Sequence, residues 1–355
     1  MFGVDRTQII DMKTVLFLDN TYPQAYNLKT LQEKAIGGTE ASIIKTAQIL
    51  SNKYKVFVAQ KYREEDEVVS DSLAFISKRS ISQHNADYVV VLRKYQVLKE
   101  IRGLFPHAKL FLWIHTYKNF EYIFKRCGFA KNDVTVICNS ETHKKSINRI
   151  LNQNILGKFF TLICKKTNVK FCYNPITKPE SPKKTRDINK LLFFSSPNKG
   201  LEQVINCFNE VIREMPEMKL FIANPGYKTS DIQAENKNII VLGSLPYHEM
   251  MKHVAESLCI FYPQNTFAET FGLIYAEANA LGIPVLAHDI GSAREILHSN
   301  NNLIDATNSQ QIINTLKSWQ NDLPKVEYKE NFNEDFVFQQ WDALFSQSQF
   351  FNTIP

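Results

Sequence analysis

Short, nearly unbroken apolar runs alternate along this chain with longer stretches whose apolar positions recur every three or four residues. The runs at 14–19 (TVLFLD), 55–59 (KVFVA), 88–92 (YVVVL), 109–115 (KLFLWIH) and 134–139 (VTVICN) predict five strands. None shows the apolar–polar alternation of a half-solvated strand. Such runs suit a parallel sheet covered by helices on both faces. Helices are predicted near 39–51, 95–103, 119–127 and 140–151. The stretch 174–190, NPITKPESPKKTRDINK, is rich in Pro and Lys and nearly free of apolar residues, the composition of a linker. The alternation then restarts, with strands at 190–195, 219–223, 238–243, 258–262 and 284–288 and helices over 200–214, 246–257 and 270–281. An aromatic-bearing helical pattern at 334–346 carries Phe336, Phe338, Trp341, Leu344 and Phe345. The expected fold is α/β: two Rossmann-like doubly wound domains, 1–175 and 176–332, facing across a cleft, with a C-terminal helix within 333–355 packing back on the first.

A chain of 355 residues with 44% hydrophobic and 22% charged residues is ordinary globular material, long enough for two cores. The six cysteines include no C-x-x-C pair and several lie in apolar runs, which points to buried thiols in a reducing compartment. The N-terminal MFGVDRTQIIDMK has no signal-peptide core, and no apolar run approaches a membrane span, so a cytoplasmic protein, soluble or peripheral at the membrane face, is expected. Charge is unevenly divided: residues 1–175 carry a net +12, the remainder −6. That asymmetry suits an anionic partner for the first half, whether membrane surface or anionic glycan; the alternative is uneven surface charge with no partner. Nucleic acid is not expected, since no binding motif accompanies the charge. The basic groups Arg93-Lys94, Lys99, Arg102, Lys125-Arg126 and Lys144-Lys145 could lie on an anionic surface or be solvated helix faces.

The densest chemistry lies in FAETFGLIYAEANALGIPVLAHDIGSAREIL, residues 267–297. With a helix starting near Thr270, the eight-residue offset between Glu269 and Glu277 keeps both carboxylates near one face. Thr270, Phe271, Gly272 and Leu273 place backbone N–H groups at a positive helix end, a setting for phosphate, and Gly272 lets an anion approach closely. In AIGGTEASIIKTAQIL, residues 35–50, Gly37 and Gly38 open a helix without the G-x-G-x-x-G spacing of a dinucleotide site, and Thr39 and Glu40 read as helix-start residues. His115 ends a strand, where open α/β sheets bind ligands. FFSSPNKGLEQ puts Ser195, Ser196 and Lys199 at a comparable strand end. The acidic run Glu64-Glu65-Asp66-Glu67 reads as a solvated loop, and with no Asp-x-Asp in the chain no metal site is expected.

These segments resemble the retaining GT-B glycosyltransferases of family 4 (glycosyl transferases group 1), through E-x-F-G-L before a second Glu and G-x-P-V after it. The resemblance covers about residues 14–346 and is thin before Gly37 and from 60 to 108. It implies the GT-B architecture, with an acceptor domain first and a donor domain second. It further implies a hexosyltransferase-like activity using a nucleotide-sugar donor and a glycan or lipid-linked acceptor, with no cofactor or metal. By the same resemblance Glu269 contacts the donor sugar, Glu277 holds the ribose, Gly38 and Gly37 face the donor phosphates, Lys199 neutralises the diphosphate and His115 contacts the sugar or backs the reacting centre. Many relatives carry an Arg where this chain has Ser195-Ser196, so one cation is missing. Base contacts are expected near 243–247. A sugar-nucleotide epimerase on the same fold, or a non-catalytic nucleotide-sugar-binding protein, remains open on the sequence alone.

Overall fold

A computed structural model describes residues 12–178, 185–224 and 236–346; the N-terminal segment, part of the expected linker and residues 347–355 lie outside that range. The apolar runs form two sheets. The first holds β1 (Thr14–Asp19), β2 (Lys55–Gln60), β3 (Glu67–Ser70), β4 (Leu73–Ser77), β5 (Tyr88–Leu92), β6 (Lys109–Trp113), β7 (Val134–Cys138) and β8 (Asn168–Phe171). Its order is β3-β4-β2-β1-β5-β6-β7-β8, parallel except for β3, which pairs antiparallel with β4. The second holds β9 (Asp187–Phe194), β10 (Lys219–Asn224), β11 (Ile239–Ser244), β12 (Ser257–Tyr262), β13 (Val285–His288) and β14 (Leu303–Ile304) in the order β11-β10-β9-β12-β13-β14. Every strand expected from an apolar run is present. The interior strands are buried along nearly their whole length, because helices cover both faces of each sheet. Burying such strands is the main favourable term for folding.

The Glu334–Ser346 helix lies on the first sheet. Phe345 stacks on Tyr88 with ring centroids 4.5 Å apart, Trp341 meets Trp113 at 5.0 Å, and Asp342 accepts hydrogen bonds from Tyr54 and Lys53, both at 2.6 Å. The two sheets are also joined directly. Glu295, just after β13, accepts from the backbone N–H groups of Glu141 and Thr142 at 2.7 Å each, and from the Tyr173 hydroxyl at 2.9 Å. Those two N–H groups belong to the first turn of the Glu141–Asn148 helix, where intrahelical partners are lacking. The carboxylate therefore caps a helix of the opposite half.

Several local expectations change. The acidic run is a loop only as far as Asp66: Glu67 opens the edge strand β3 and pairs with Arg63 at 3.1 Å, while Asp66 accepts from the Ser77 N–H. Three of the basic groups are also not free surface charge. Arg126 is fully buried and donates to the carbonyls of Leu151, Gly157 and Cys164. Arg102 donates to the carbonyls of Pro106, Ala108 and Asn132. Arg93 is held in an ion-pair cluster described below. In each case a planar fork of donors satisfies inward-facing acceptors that composition cannot reveal.

Candidate active site

The C-terminal ends of β1, β5, β6 and β7 face those of β9 and β12 across a cleft of about 490 Å³. Open α/β sheets bind ligands at that edge. The cleft is lined by Gly38, His115, Ser196, Lys199, Glu269, Thr270, Phe271, Gly272, Leu273 and Glu277 among the expected residues. Ser195 lines it too. Gly37 is the N-cap of the Gly38–Leu50 helix and is not among the lining residues. Leu245 and Tyr247, in the stretch expected to meet a base, do line it.

The helix after Glu269 starts later than the spacing predicts, at Leu273 rather than near Thr270. Gly272 is its N-cap with φ +80°, and a Cβ there would sit 2.5 Å from the Tyr275 ring. A left-handed residue against an aromatic ring is a place only glycine fills without strain. Glu269 therefore lies in the preceding loop, not on the helix face, and the two carboxylates reach the cleft from different directions. Gly38 stands opposite: a Cβ on it would come within 3.0 Å of Leu273 Cδ1. Two helix N-termini, one from each half, thus meet across the cleft with first-turn N–H groups that no intrahelical carbonyl satisfies.

Glu269 is 8% exposed and its carboxylate accepts from Lys199 Nζ at 2.8 and 3.1 Å and from the Tyr262 hydroxyl at 3.2 Å. Glu277, on the second turn of its helix, lies 4.0 Å from Lys45. Burial raises the Glu277 carboxyl above its ordinary value, with Lys45 and the Tyr247 phenol opposing. Lys45 follows Gly38 and Ala41 on one helical face, and all three line the cleft.

His115 is placed by a relay that also fixes its proton. The Trp113 indole N–H donates to Asn139 Oδ1 at 2.6 Å, which turns the Asn139 amide nitrogen toward His115 Nδ1 at 3.2 Å and Thr270 Oγ1 at 3.1 Å. An indole nitrogen only donates, so Oδ1 must face it; the amide NH₂ then donates to Nδ1. The proton of neutral His115 is consequently on Nε2, an enclosed atom with no partner among the described residues. Burial, reinforced by Arg93, holds His115 well below its usual pKa and hence neutral. Ser196 Oγ, Asn174 Oδ1 and Arg93 Nε, on other lining residues, also lack partners among the described residues. Buried polar atoms left unmatched at one concave surface mark where a polar ligand would be received.

Sequence reasoning missed a second charged group at the cleft. Glu40, read as a plain helix-start residue, is buried and accepts from Arg93 at 2.7 Å. Arg93 follows β5 with φ 60° and also reaches both oxygens of Asp19 at 3.4 Å. Asp19 ends β1 and accepts from Thr21 and Tyr26 as well. A polar residue immediately after an apolar strand, as Arg93 and Asn139 are, was the available signal. No group of three His, Cys, Asp or Glu side chains suited to a metal ion occurs among the described residues.

Histidines also give the fold an acid sensitivity. His143 accepts from the Asn139 backbone N–H through Nδ1, faces the Thr116 carbonyl through Nε2 at 3.2 Å, and burial lowers its pKa from 6.5 to about 3. A histidine whose folded pKa is depressed takes up its proton on unfolding, so stability falls as pH drops below 6.5 and continues to fall toward about 3. Within that window each pH unit should cost up to ~1.4 kcal/mol per such histidine. Melting temperature measured from pH 7 to pH 4 is expected to fall less steeply in His143→Gln than in the parent; equal slopes would contradict the assignment.

Two parallel-sheet Rossmann-like halves meeting at a cleft constitute the GT-B fold. Residues 179–335 match the family described as "Glycosyl transferases group 1". Among curated proteins, the chain is 31% identical over 108 residues to a GDP-mannose-dependent monoacylated alpha-(1-6)-phosphatidylinositol monomannoside mannosyltransferase of Corynebacterium glutamicum, covering 28% of each chain. It is 25% identical over 174 residues to an alpha-monoglucosyldiacylglycerol synthase of Streptococcus pneumoniae, covering 45% of this chain and 38% of that one. The matched stretches thus span well under half of these relatives. Among solved structures, sucrose-phosphate synthase from Thermosynechococcus elongatus superposes with TM-score 0.67 at 12% identity, covering 94% of this chain and 98% of that one. Anabaena Alr3699/HepE in complex with UDP and glucose gives 0.65 at 16% identity, covering 94% and 100%. At such identities the likeness is one of fold.

Proposed function

We propose that the chain is a glycosyltransferase that moves a sugar from a nucleotide-sugar donor to a glycan or lipid-linked acceptor, with retention of configuration and without a metal ion or cofactor. The observation that carries this reading is the Lys199–Glu269 pair at 2.8 Å in a cleft into which two helix N-termini open. Amide groups and a lysine are the donors a diphosphate needs, and they act most strongly where water is excluded. In this reading the diphosphate lies between Gly38 and Gly272–Leu273, with Lys199 beside it. Glu277 accepts from the ribose hydroxyls, Glu269 from the sugar, and the Nε2–H of His115 donates to a sugar oxygen. Ser195 and Ser196 hydroxyls supply neutral donors in place of a second cation.

The sugar–phosphate bond breaks as the acceptor oxygen attacks from the same face, and the acceptor's proton passes to the departing phosphate. Support for a nucleotide donor comes from the Anabaena neighbour, a protein of this fold solved in complex with UDP and glucose. Phosphatidylinositol and diacylglycerol in the names of the curated relatives favour a lipid-linked acceptor.

A thermal-shift screen across UDP-, GDP- and ADP-sugars tests the donor. At 100-fold its Kd, a donor that binds only the folded state should stabilise by about 2.7 kcal/mol. Glu277→Ala is expected to raise that Kd roughly 10- to 100-fold, the worth of a hydrogen bond to a charged group. No shift with any nucleotide sugar would sink the reading. Donor turnover without any acceptor would move it to an epimerase.

A further inference from the structure

A second surface lies outside the cleft. Six large apolar side chains, Phe120, Phe124, Ile155, Phe159, Leu162 and Ile163, are each more than half exposed, Ile155 at 88% and Leu162 at 83%. Ile155, Phe159, Leu162 and Ile163 fall at helical spacing, so they share one side of the Ile155–Phe160 helix and of the turns that continue it to Cys164. Phe124 joins them through Phe160, its ring centroid 6.4 Å away, and Phe160 lies 6.4 Å from Phe159. The patch is rigidly mounted: Arg126 grips the carbonyls of Leu151, Gly157 and Cys164 beneath it, and Cys127 and Cys164 approach to 3.0 Å between sulfurs. A contiguous apolar surface of this kind on a folded protein is an interaction site.

Its charge surroundings select the partner. From residue 142 to residue 179 the sequence contains no Asp or Glu but eight Lys or Arg, among them Lys158, Lys165 and Lys166 in the patch segment itself, all three exposed. Among the described residues, Glu121 follows Phe120 in the sequence, and Asp133 lies 3.5 Å from Lys165 and is itself largely solvated. Apolar side chains on one side with lysines at the rim match the boundary between acyl chains and anionic headgroups. Among the described residues no helix is long and apolar enough to cross a membrane. The chain that leaves His115 and Thr116 on the cleft wall runs on within a few residues to Phe120 in the patch.

We propose that this face docks the protein onto an anionic lipid surface, with Ile155, Phe159 and Leu162 entering the headgroup boundary and Lys158, Lys165 and Lys166 meeting lipid phosphates. The docking face is thus a narrow apolar segment with its own lysines, not the basic groups at 93–102, whose arginines are engaged internally. The proposal stands apart from the transferase reading, because vesicle binding is measured without donor or transfer.

The test is co-sedimentation of the full chain with vesicles of phosphatidylcholine alone and of phosphatidylcholine with phosphatidylglycerol. Binding is expected to the anionic vesicles and to weaken with salt. Lys158→Ala/Lys165→Ala/Lys166→Ala should lower partitioning on the order of 100-fold, at roughly fivefold per lysine. Ile155→Ser/Phe159→Ser/Leu162→Ser should abolish it while leaving the melting temperature unchanged, since these side chains bury little. The proposal is overturned if the parent ignores anionic vesicles, or if both triple variants bind as the parent does. It is equally overturned if the parent is a dimer that the serine variant dissociates with no vesicle binding, which would give the face to a second copy.

Discussion

Glu269→Gln is expected to lower turnover by about 10²- to 10³-fold while leaving donor affinity within a few-fold of the parent, the loss typical of one preorganised electrostatic partner. The carboxylate is almost enclosed, and its two oxygens are already committed to Lys199 and Tyr262. It is thereby held in one orientation before any ligand enters, which is the condition for stabilising charge that develops only during reaction. Gln keeps the shape and one acceptor oxygen but loses the negative charge, and Lys199 is left with its charge less compensated. Steady-state kinetics should therefore show kcat and kcat/KM falling together, the signature of an interaction made in the transition state. A variant whose KM alone rises would reassign Glu269 to ground-state binding. One with parental kinetics would remove it from the site. Glu277→Ala is the internal contrast, since its effect is expected in donor affinity.

The central strands of both sheets could be read directly from the sequence, because a strand buried on two faces must be apolar throughout, and runs such as YVVVL and SLCIFY satisfy that locally. The edge strand β3 could not: it is solvated, with Val68 and Val69 exposed, so no apolar run announces it. The late helix start at Leu273 was hidden for a different reason. Spacing alone makes Glu269 and Glu277 look like one helical face, and only the left-handed turn at Gly272 separates them. Charged residues were the least readable of all. Lys45 and Glu277, or Asp19, Glu40 and Arg93, become partners through strand order and helix docking. Nothing in the neighbourhood of Arg126 distinguishes a guanidinium buried against three carbonyls from one in water. Local composition reports how a segment is solvated on average; it carries no information about which distant group a long side chain will meet.

The Asp19–Arg93–Glu40 cluster supplies the largest expected change in stability. Arg93→Met should destabilise the fold by about 3–5 kcal/mol at pH 7, the cost of leaving buried charge without its partner. The two carboxylates are 2% and 3% exposed, and with Arg93 gone nothing named in the cluster offsets their mutual repulsion. Burial already raises the Glu40 carboxyl, with Arg93 opposing that rise. Removing the guanidinium therefore raises it further. An acid whose folded pKa lies above its unfolded value favours the folded state when protonated. The deficit of Arg93→Met should accordingly shrink as pH is lowered from 7 toward 5, opposite in sign to the histidine effect. Urea unfolding of parent and variant at both pH values measures the difference. Adding Glu40→Gln to Arg93→Met should restore part of the loss by removing one of the stranded charges. A loss below about 1 kcal/mol at pH 7 would mean that water compensates the cluster, and Arg93 would then be a cleft residue without a structural role.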